Sequence, residues 1–330
     1  MNEGDFITAL RAIAVDPAAR GLADDCAALP DGAGGAIICT HDMMVAGTHF
    51  PLHAHPADVA WKLVGANLSV LAAKGARPIG VLLGYILGGN AWDRAFISGL
   101  ADALAHYDTP LLGGDTVAAP AAGTGALSPH APGHTQTATG QWATWAGRGL
   151  GLTALGRATH CPAPCRSGAQ VGDIVYVTGV IGHAYYGFHL DSTGQSARHA
   201  GDAAALARFR RPEPRVAHGM ALAPHVTSMM DISDGLLLDA TRLAIASGKT
   251  LSLDRARVPV PPTMPAELLP RSISWGDDYE LLFTLPAGVP CPVPATAIGH
   301  VLAPGAHPML VDGTPPESTQ QLGWQHDGPG

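Results

Sequence analysis

Short apolar runs alternating with stretches of helical spacing predict an α/β protein of two domains. Three observations carry this expectation. The first is the alternation itself. The second is a length of 330 residues, beyond the roughly 250–300 at which a single hydrophobic core stops growing. The third is the recurrence of aspartate where apolar runs end, the position at which open α/β sheets bind ligands.

The run Ala36-Ile37-Ile38-Cys39-Thr40 follows Gly34-Gly35 and predicts a buried strand that ends on Asp42, with the pair Asp24-Asp25 ahead of it. Over 56–76 the spacing changes. Val59, Ala60, Leu63, Val64, Asn67, Leu68 and Leu71 fall on one broad helical face, Pro56 suits the first turn, and Gly75 and Pro78 stop the helix. Residues 79–87 predict a strand, 92–106 a helix, and 110–112 a strand that runs into the turn Gly113-Gly114-Asp115-Thr116. Residues 118–148 turn to Ala, Gly, Pro, Ser, Thr and His with no period and read as an inserted loop.

Regular pattern resumes with a strand at 149–155, and the domain boundary is expected within 157–168, dividing the chain into 1–157 and 158–330. Gly172-Asp173 turns into a strand at 174–177. A strand at 226–230 leads into Asp231-Ile232-Ser233-Asp234-Gly235 and a helix reaching Ala246. The last acidic turn, Gly276-Asp277-Asp278-Tyr279-Glu280, precedes a strand at 281–285.

Composition narrows the function. With 27 acidic against 19 basic residues the net charge is −8 and no Lys/Arg run occurs, which argues against a nucleic-acid or anionic-membrane surface. No run approaches the ~20 apolar residues that span a bilayer, and residues 1–16 lack the basic-then-apolar order of a secretory signal, so a cytoplasmic protein is expected. The five cysteines are odd in number and sparse, as for reduced thiols; Cys161 and Cys165 lack a second ligand pair, and no metal is assigned to them. An acidic protein binds a polyphosphate only with cations between them, and clustered aspartates holding Mg²⁺ are the usual solution.

Asp25, Asp42, Asp115, Asp231, Asp234 and Asp277 all fall at strand ends or in glycine-containing turns. Aspartate is a common cap and turn residue, so the signal lies in the repetition. In the Asp231–Asp234 motif the strand end supplies one carboxylate, while Ser233 and Asp234 open a helix whose N-terminus suits phosphate oxygens. Gly113-Gly114-Asp115-Thr116 joins a close-approach backbone to one hard ligand. Familiar nucleotide signatures fail. Ser247-Gly248-Lys249-Thr250 looks like the tail of a Walker A loop, but Leu243 stands where its first glycine belongs, and no H-R-D or D-F-G set occurs.

Seven segments, Leu22–Ala27, Thr40–Phe50, Asn67–Ala76, Gly113–Thr116, Arg166–Ala169, Asp231–Leu236 and Trp275–Leu281, stand in an order that resembles the thiamine-monophosphate kinases. That family belongs with aminoimidazole ribonucleotide synthetase and selenophosphate synthetase, and the likeness covers most of the chain. It implies an N-terminal ATP-binding domain that pairs with its copy in a homodimer, and a C-terminal α/β domain. It also implies Mg²⁺-dependent transfer of the ATP γ-phosphoryl to thiamine monophosphate.

By resemblance, Asp25, Thr40, His41, Asp42, Asp115, Asp231 and Asp234 take the Mg²⁺ positions. Gly114, Asp115, Arg166 and Ser233 contact ATP, and His49, Asp277 and Trp324 contact the acceptor. No general base is implied, since the acceptor phosphate is already anionic. Two departures stand out: Val70 where the family has an aspartate shared by several Mg²⁺ ions, and Val117-Ala118 where many relatives carry an arginine. Lys74, one turn beyond Val70, is a candidate point charge toward phosphate, against the ordinary solvated helical lysine. Two alternatives stay open: a related ATP-dependent synthetase, and a catalytically weakened protein that binds nucleotide or thiamine phosphate.

Overall fold

The computed structural model describes residues 3–118, 148–195, 197–317 and 322–325. Helix α1 (Glu3–Arg11) precedes a first sheet built from β1 (Ala27–Pro30), β2 (Ala36–Val45), β3 (Ala76–Leu87), β4 (Leu111–Ala118) and β5 (Gly149–Ala158). The strand order is β1-β2-β5-β3-β4, with α2 (Pro56–Ala73) leading from β2 to β3 and α3 (Asn90–His106) from β3 to β4. A second sheet takes β6 (Ile174–Val177), β7 (Ser228–Asp231), β8 (Thr250–Leu253), β9 (Leu281–Leu285), β10 (Thr296–Leu302) and β11 (Met309–Val311) in the order β11-β8-β10-β6-β9-β7. Between its strands run α4 (His183–Ser192), α5 (Ala200–Arg210), α6 (Val216–Leu222), α7 (Leu236–Ser247) and α8 (Leu269–Ser272). The α/β class is as expected. The expected inserted loop, apart from Ala118 and Arg148, lies outside the described residues.

Helix α2 positions everything that follows. His55 caps it by accepting the Ala57 N–H, Pro56 opens its first turn, and nearly every residue from Val59 to Ala73 is buried. A helix covered all round belongs to a shared core rather than to one surface. One side lies on β2 and β5; other sides meet α3, α6 and β7. Ala72 and Ala73 join Leu222, Met229 and Phe283 in an apolar cluster that ties this helix to the second sheet.

The strands run further than their apolar segments suggest. β2 continues through His41 and Asp42 to Val45 because β5 pairs with it along the whole length. β3 starts at Ala76 and passes Pro78 through a register shift against β5, which accommodates the missing N–H. Gly113-Gly114-Asp115-Thr116, expected as a turn, lies inside β4, paired in parallel with β3. Ser247-Gly248-Lys249-Thr250 is a helix end: Gly248 takes φ 61 as the left-handed cap of α7.

Gly219 on α6 marks the tightest helix contact, since a Cβ there would lie 1.9 Å from the Ala72 carbonyl oxygen of α2. Alanine would gain up to ~1 kcal/mol of helix propensity, but overpacking costs about 1–3 kcal/mol. Gly219→Ala should therefore lower the melting temperature. An unchanged or higher value in differential scanning calorimetry would show that α6 shifts freely on α2.

Candidate active site

Four of the carboxylates nominated from sequence, Asp25, Asp42, Asp231 and Asp234, come together where the two sheets face each other across α2. Asp42, on β2, receives α2 through its backbone: its N–H donates to Asn67 Oδ1 at 3.1 Å. Asp231, at the end of β7, accepts from Ser69 Oγ of the same helix at 2.7 Å. Burial pushes the Asp42 carboxyl up to about 6, helped by the charges of Asp25 and Asp234. Burial pushes Asp231 up to about 8, with Asp25 and Asp42 adding to it and the Ser69 hydroxyl opposing. This mutual influence places Asp25, Asp42, Asp231 and Asp234 in one neighbourhood. No cationic side chain pairs with Asp42 or Asp231 among the described residues.

The loop after β7 is held by Asp239 of α7. Its Oδ2 accepts the N–H groups of Ser233, Asp234 and Gly235 at 3.0–3.2 Å, an arrangement that fixes the turn for Ser233 and Asp234. Arg242 bridges Asp234 and Asp239. The Trp324 backbone N–H donates to the Asp234 carbonyl at 2.8 Å and ties this residue to the loop.

The other half of the acidic group carries its own cations. Arg166 forks onto Asp25 through Nε at 3.0 Å and Nη2, and Thr40 Oγ1 donates to the Asp25 carbonyl. Asp24 is gripped by Arg20 at 2.5 Å and by Lys74. Lys74 is not solvated as an ordinary helical lysine would be; it is fully buried, with Asp25 at 3.6 Å. Burial alone would depress its ammonium, yet Asp24 and Asp25 hold it above the ordinary lysine value. Val70, one turn earlier, is buried in the apolar cluster of the first sheet.

A third group surrounds Asp277. The turn 276–279 is zipped onto the loop after β7 by the Asp277 N–H to Ser233 O at 2.8 Å and the Tyr279 N–H to Ile232 O at 2.9 Å. Asp277 and Tyr279 both take left-handed backbone, φ 61 and 51, a cost that side-chain-bearing residues carry mainly at functional turns. Lys62 of α2, which sequence reasoning missed, donates to Asp277 Oδ2 at 2.6 Å and to the His49 carbonyl at 3.0 Å. It thereby joins two acceptor-site candidates. The signal was present: a lysine between Val59 and Leu63 on a helix whose register is apolar. A cavity of about 210 Å³ opens beside it, lined in part by Phe50, His53, Asp58, Asp191 and Phe209.

Two nominated side chains stand apart. Strand alternation turns His41 away from its neighbours Thr40 and Asp42, and its Nδ1 meets Thr153 Oγ1 at 2.8 Å. On exposed β4, Asp115 shares a row with Gly84, Gly151 and Met43, while Gly114 shares the row of Asp42. Three strand spacings, roughly 14 Å, separate β4 from β2.

Residues 23–131 match the family model described as AIR synthase related protein, N-terminal domain. The chain is 35% identical over 274 residues to the thiamine-monophosphate kinase of Escherichia coli, covering 81% of this chain and 76% of that protein. It is 37% identical over 279 residues to the thiamine-monophosphate kinase of Caulobacter vibrioides, covering 81% and 71%. A solved structure of AaThiL complexed with AMPPCP and TMP superposes with a TM-score of 0.80 over 99% of this chain and 97% of that one, at 23% identity, a likeness of fold. On identity of this extent over most of both proteins, the chain belongs to the thiamine-monophosphate kinase family.

Proposed function

We propose that the chain transfers the γ-phosphoryl group of ATP to the phosphate of thiamine monophosphate, giving thiamine diphosphate and ADP. One observation carries the reading. In a chain this similar to known kinases of that kind, the unneutralised carboxylates Asp42 and Asp231 adjoin the Lys62-anchored pair His49 and Asp277 through a shared, zipped loop. A phosphoryl donor and its acceptor need such neighbouring places.

The donor set suits Mg²⁺. Among the described residues no three His, Cys, Asp or Glu side chains close a cage, as fits an ion that takes one or two carboxylates and completes its shell with water and phosphate oxygens. Asp42 and Asp231 would hold it, with Asp25, Thr40, His41, Asp115 and Asp234 as the remaining candidates. When bound it supplies neutralisation of phosphate charge. Arg166, its Nε and Nη2 on Asp25, would turn its remaining Nη1 donors to the nucleotide phosphates, and Gly114, Asp115 and Ser233 are the further ATP candidates. Asp277 and His49, fixed by Lys62, orient the acceptor, and Trp324 offers its ring for stacking. The acceptor phosphate already carries the attacking oxygen as an anion, so positioning does the work of a base.

The reading extends to assembly and location. Residues 1–157 form the ATP-binding domain, which pairs with a second copy, and 158–330 the C-terminal domain. Support for pairing comes from the first sheet, where Met43, Val45, Leu82, Leu112 and Val117 are exposed together, an apolar area monomers rarely show. No described helix is long and apolar enough to cross a membrane, and the five free thiols suit the cytoplasm.

With ATP and Mg²⁺, thiamine diphosphate should form from thiamine monophosphate, and free thiamine should be at least ~100-fold poorer in kcat/KM, since it brings no phosphate to the site. Comparable use of thiamine would refute the acceptor assignment; tight nucleotide binding with no product would favour the non-catalytic alternative.

Met43→Arg should convert the dimer to monomer in light scattering at micromolar protein. A wild-type monomer at that concentration would remove the pairing.

The raised carboxyls set a pH dependence. Asp42 and Asp231 go from an ordinary 3.8 to about 6 and about 8 on folding, so the folded metal-free protein holds protons that the unfolded chain has released. Their contribution is complete below the unfolded value and is lost as pH rises through the folded ones. The metal-free melting temperature should fall between about pH 5 and 8, less so in Asp231→Asn. A rise over that interval in wild type would show that both carboxyls are ionised and compensated.

A further inference from the structure

We propose that Lys74 is a resident cation of the acidic group, occupying beside Asp24 and Asp25 a charge position that a divalent ion would otherwise take. This rests on the Mg²⁺ reading of the site. The geometry is specific: Lys74 caps the C-terminus of α2, is wholly buried, contacts Asp24 and stands 3.6 Å from Asp25. A lysine at a helix end ordinarily extends its ammonium to water, and burying one is costly unless it is paired. Here the ammonium is turned inward to a carboxylate pair.

The distribution of charge around it gives the role. Arg20 also grips Asp24, and Arg166 forks onto Asp25, so two carboxylates meet three fixed cations. Asp42 and Asp231, elsewhere in the same acidic group, meet none among the described residues. A dication placed at Asp25 would lie close to the fixed ammonium, and like charges at such separations repel strongly where water is excluded. Val70, one turn before Lys74 on the same helix, offers no oxygen to offset that repulsion. Divalent ions are thereby confined to Asp42 and Asp231, while Asp25 keeps a positive neighbour at any metal concentration. Lys74 is a positioning residue: it holds Asp24 and Asp25 in place for Arg166 without a bound ion.

Metal counting separates this from a merely structural ion pair. Mn²⁺ binding, read by electron paramagnetic resonance, is compared for wild type, Lys74→Met and Asp24→Asn/Lys74→Met. Each variant should bind one further Mn²⁺ per chain. The stability that Lys74→Met loses should return with Mn²⁺ but not with NaCl of equal ionic strength. The double variant removes a carboxylate together with the cation, so it should fold without added metal and still show the extra ion. Equal Mn²⁺ counts in the folded variants, or stability that Mn²⁺ does not restore, overturn the proposal. Turnover of the wild-type protein tests the kinase reading separately, so an active wild type with no extra ion in the variants sinks only the role of Lys74.

Discussion

The burial of α2 between the two sheets is the constraint on which the rest depends. A helix covered on nearly every side cannot leave polar side chains unsatisfied, and α2 carries several: Lys62, Asn67, Ser69 and Lys74. Each is satisfied by a partner outside the helix. Lys62 reaches Asp277 and the His49 carbonyl, Asn67 the backbone of Asp42, Ser69 the Asp231 carboxylate, and Lys74 the Asp24 carboxylate. The polar groups that would penalise the core are the ones that assemble the candidate site, so fold and candidate site share one set of hydrogen bonds.

Charge is divided unevenly across this frame. On one side Arg20, Lys74 and Arg166 neutralise Asp24 and Asp25 within the protein. On the other, half-buried Asp42 and buried Asp231 meet no cation among the described residues and must hold protons or ions to exist at low cost. That imbalance makes one half of the group a fixed scaffold and the other a place for exchangeable charge. The turn around Asp277 shows a similar tension, since Asp277 and Tyr279 are kept in left-handed backbone by hydrogen bonds to the loop after β7. The strain persists because several elements determine it together.

Much of this was legible beforehand, and residue by residue the reasons differ. Asp231, Ser233 and Asp234 were readable because a strand end followed by Gly235 and an apolar helix has few other meanings. Asp42 was readable as an acidic interruption of an apolar run, although β2 continues beyond it. Lys62 was missed because one lysine in an apolar helix looks like a solvated one until its partner, 215 positions away, is known. Lys74 was misjudged in its favoured, solvated form for the same reason.

By itself the sequence determined what depends on local order: the alternation of strands and helices, the stop at Gly75, and the family through motifs in a fixed succession. Only the tertiary structure decided which charges meet. Strand alternation sent Thr40 and Asp42 to one face and His41 to the other, and sheet register put Asp115 in the row of Met43. Packing of one helix between two sheets chose Asp24 for Lys74 and Asp277 for Lys62. Electrostatic energy depends on separation in space and on the exclusion of water, and neither quantity is a property of distance along the chain.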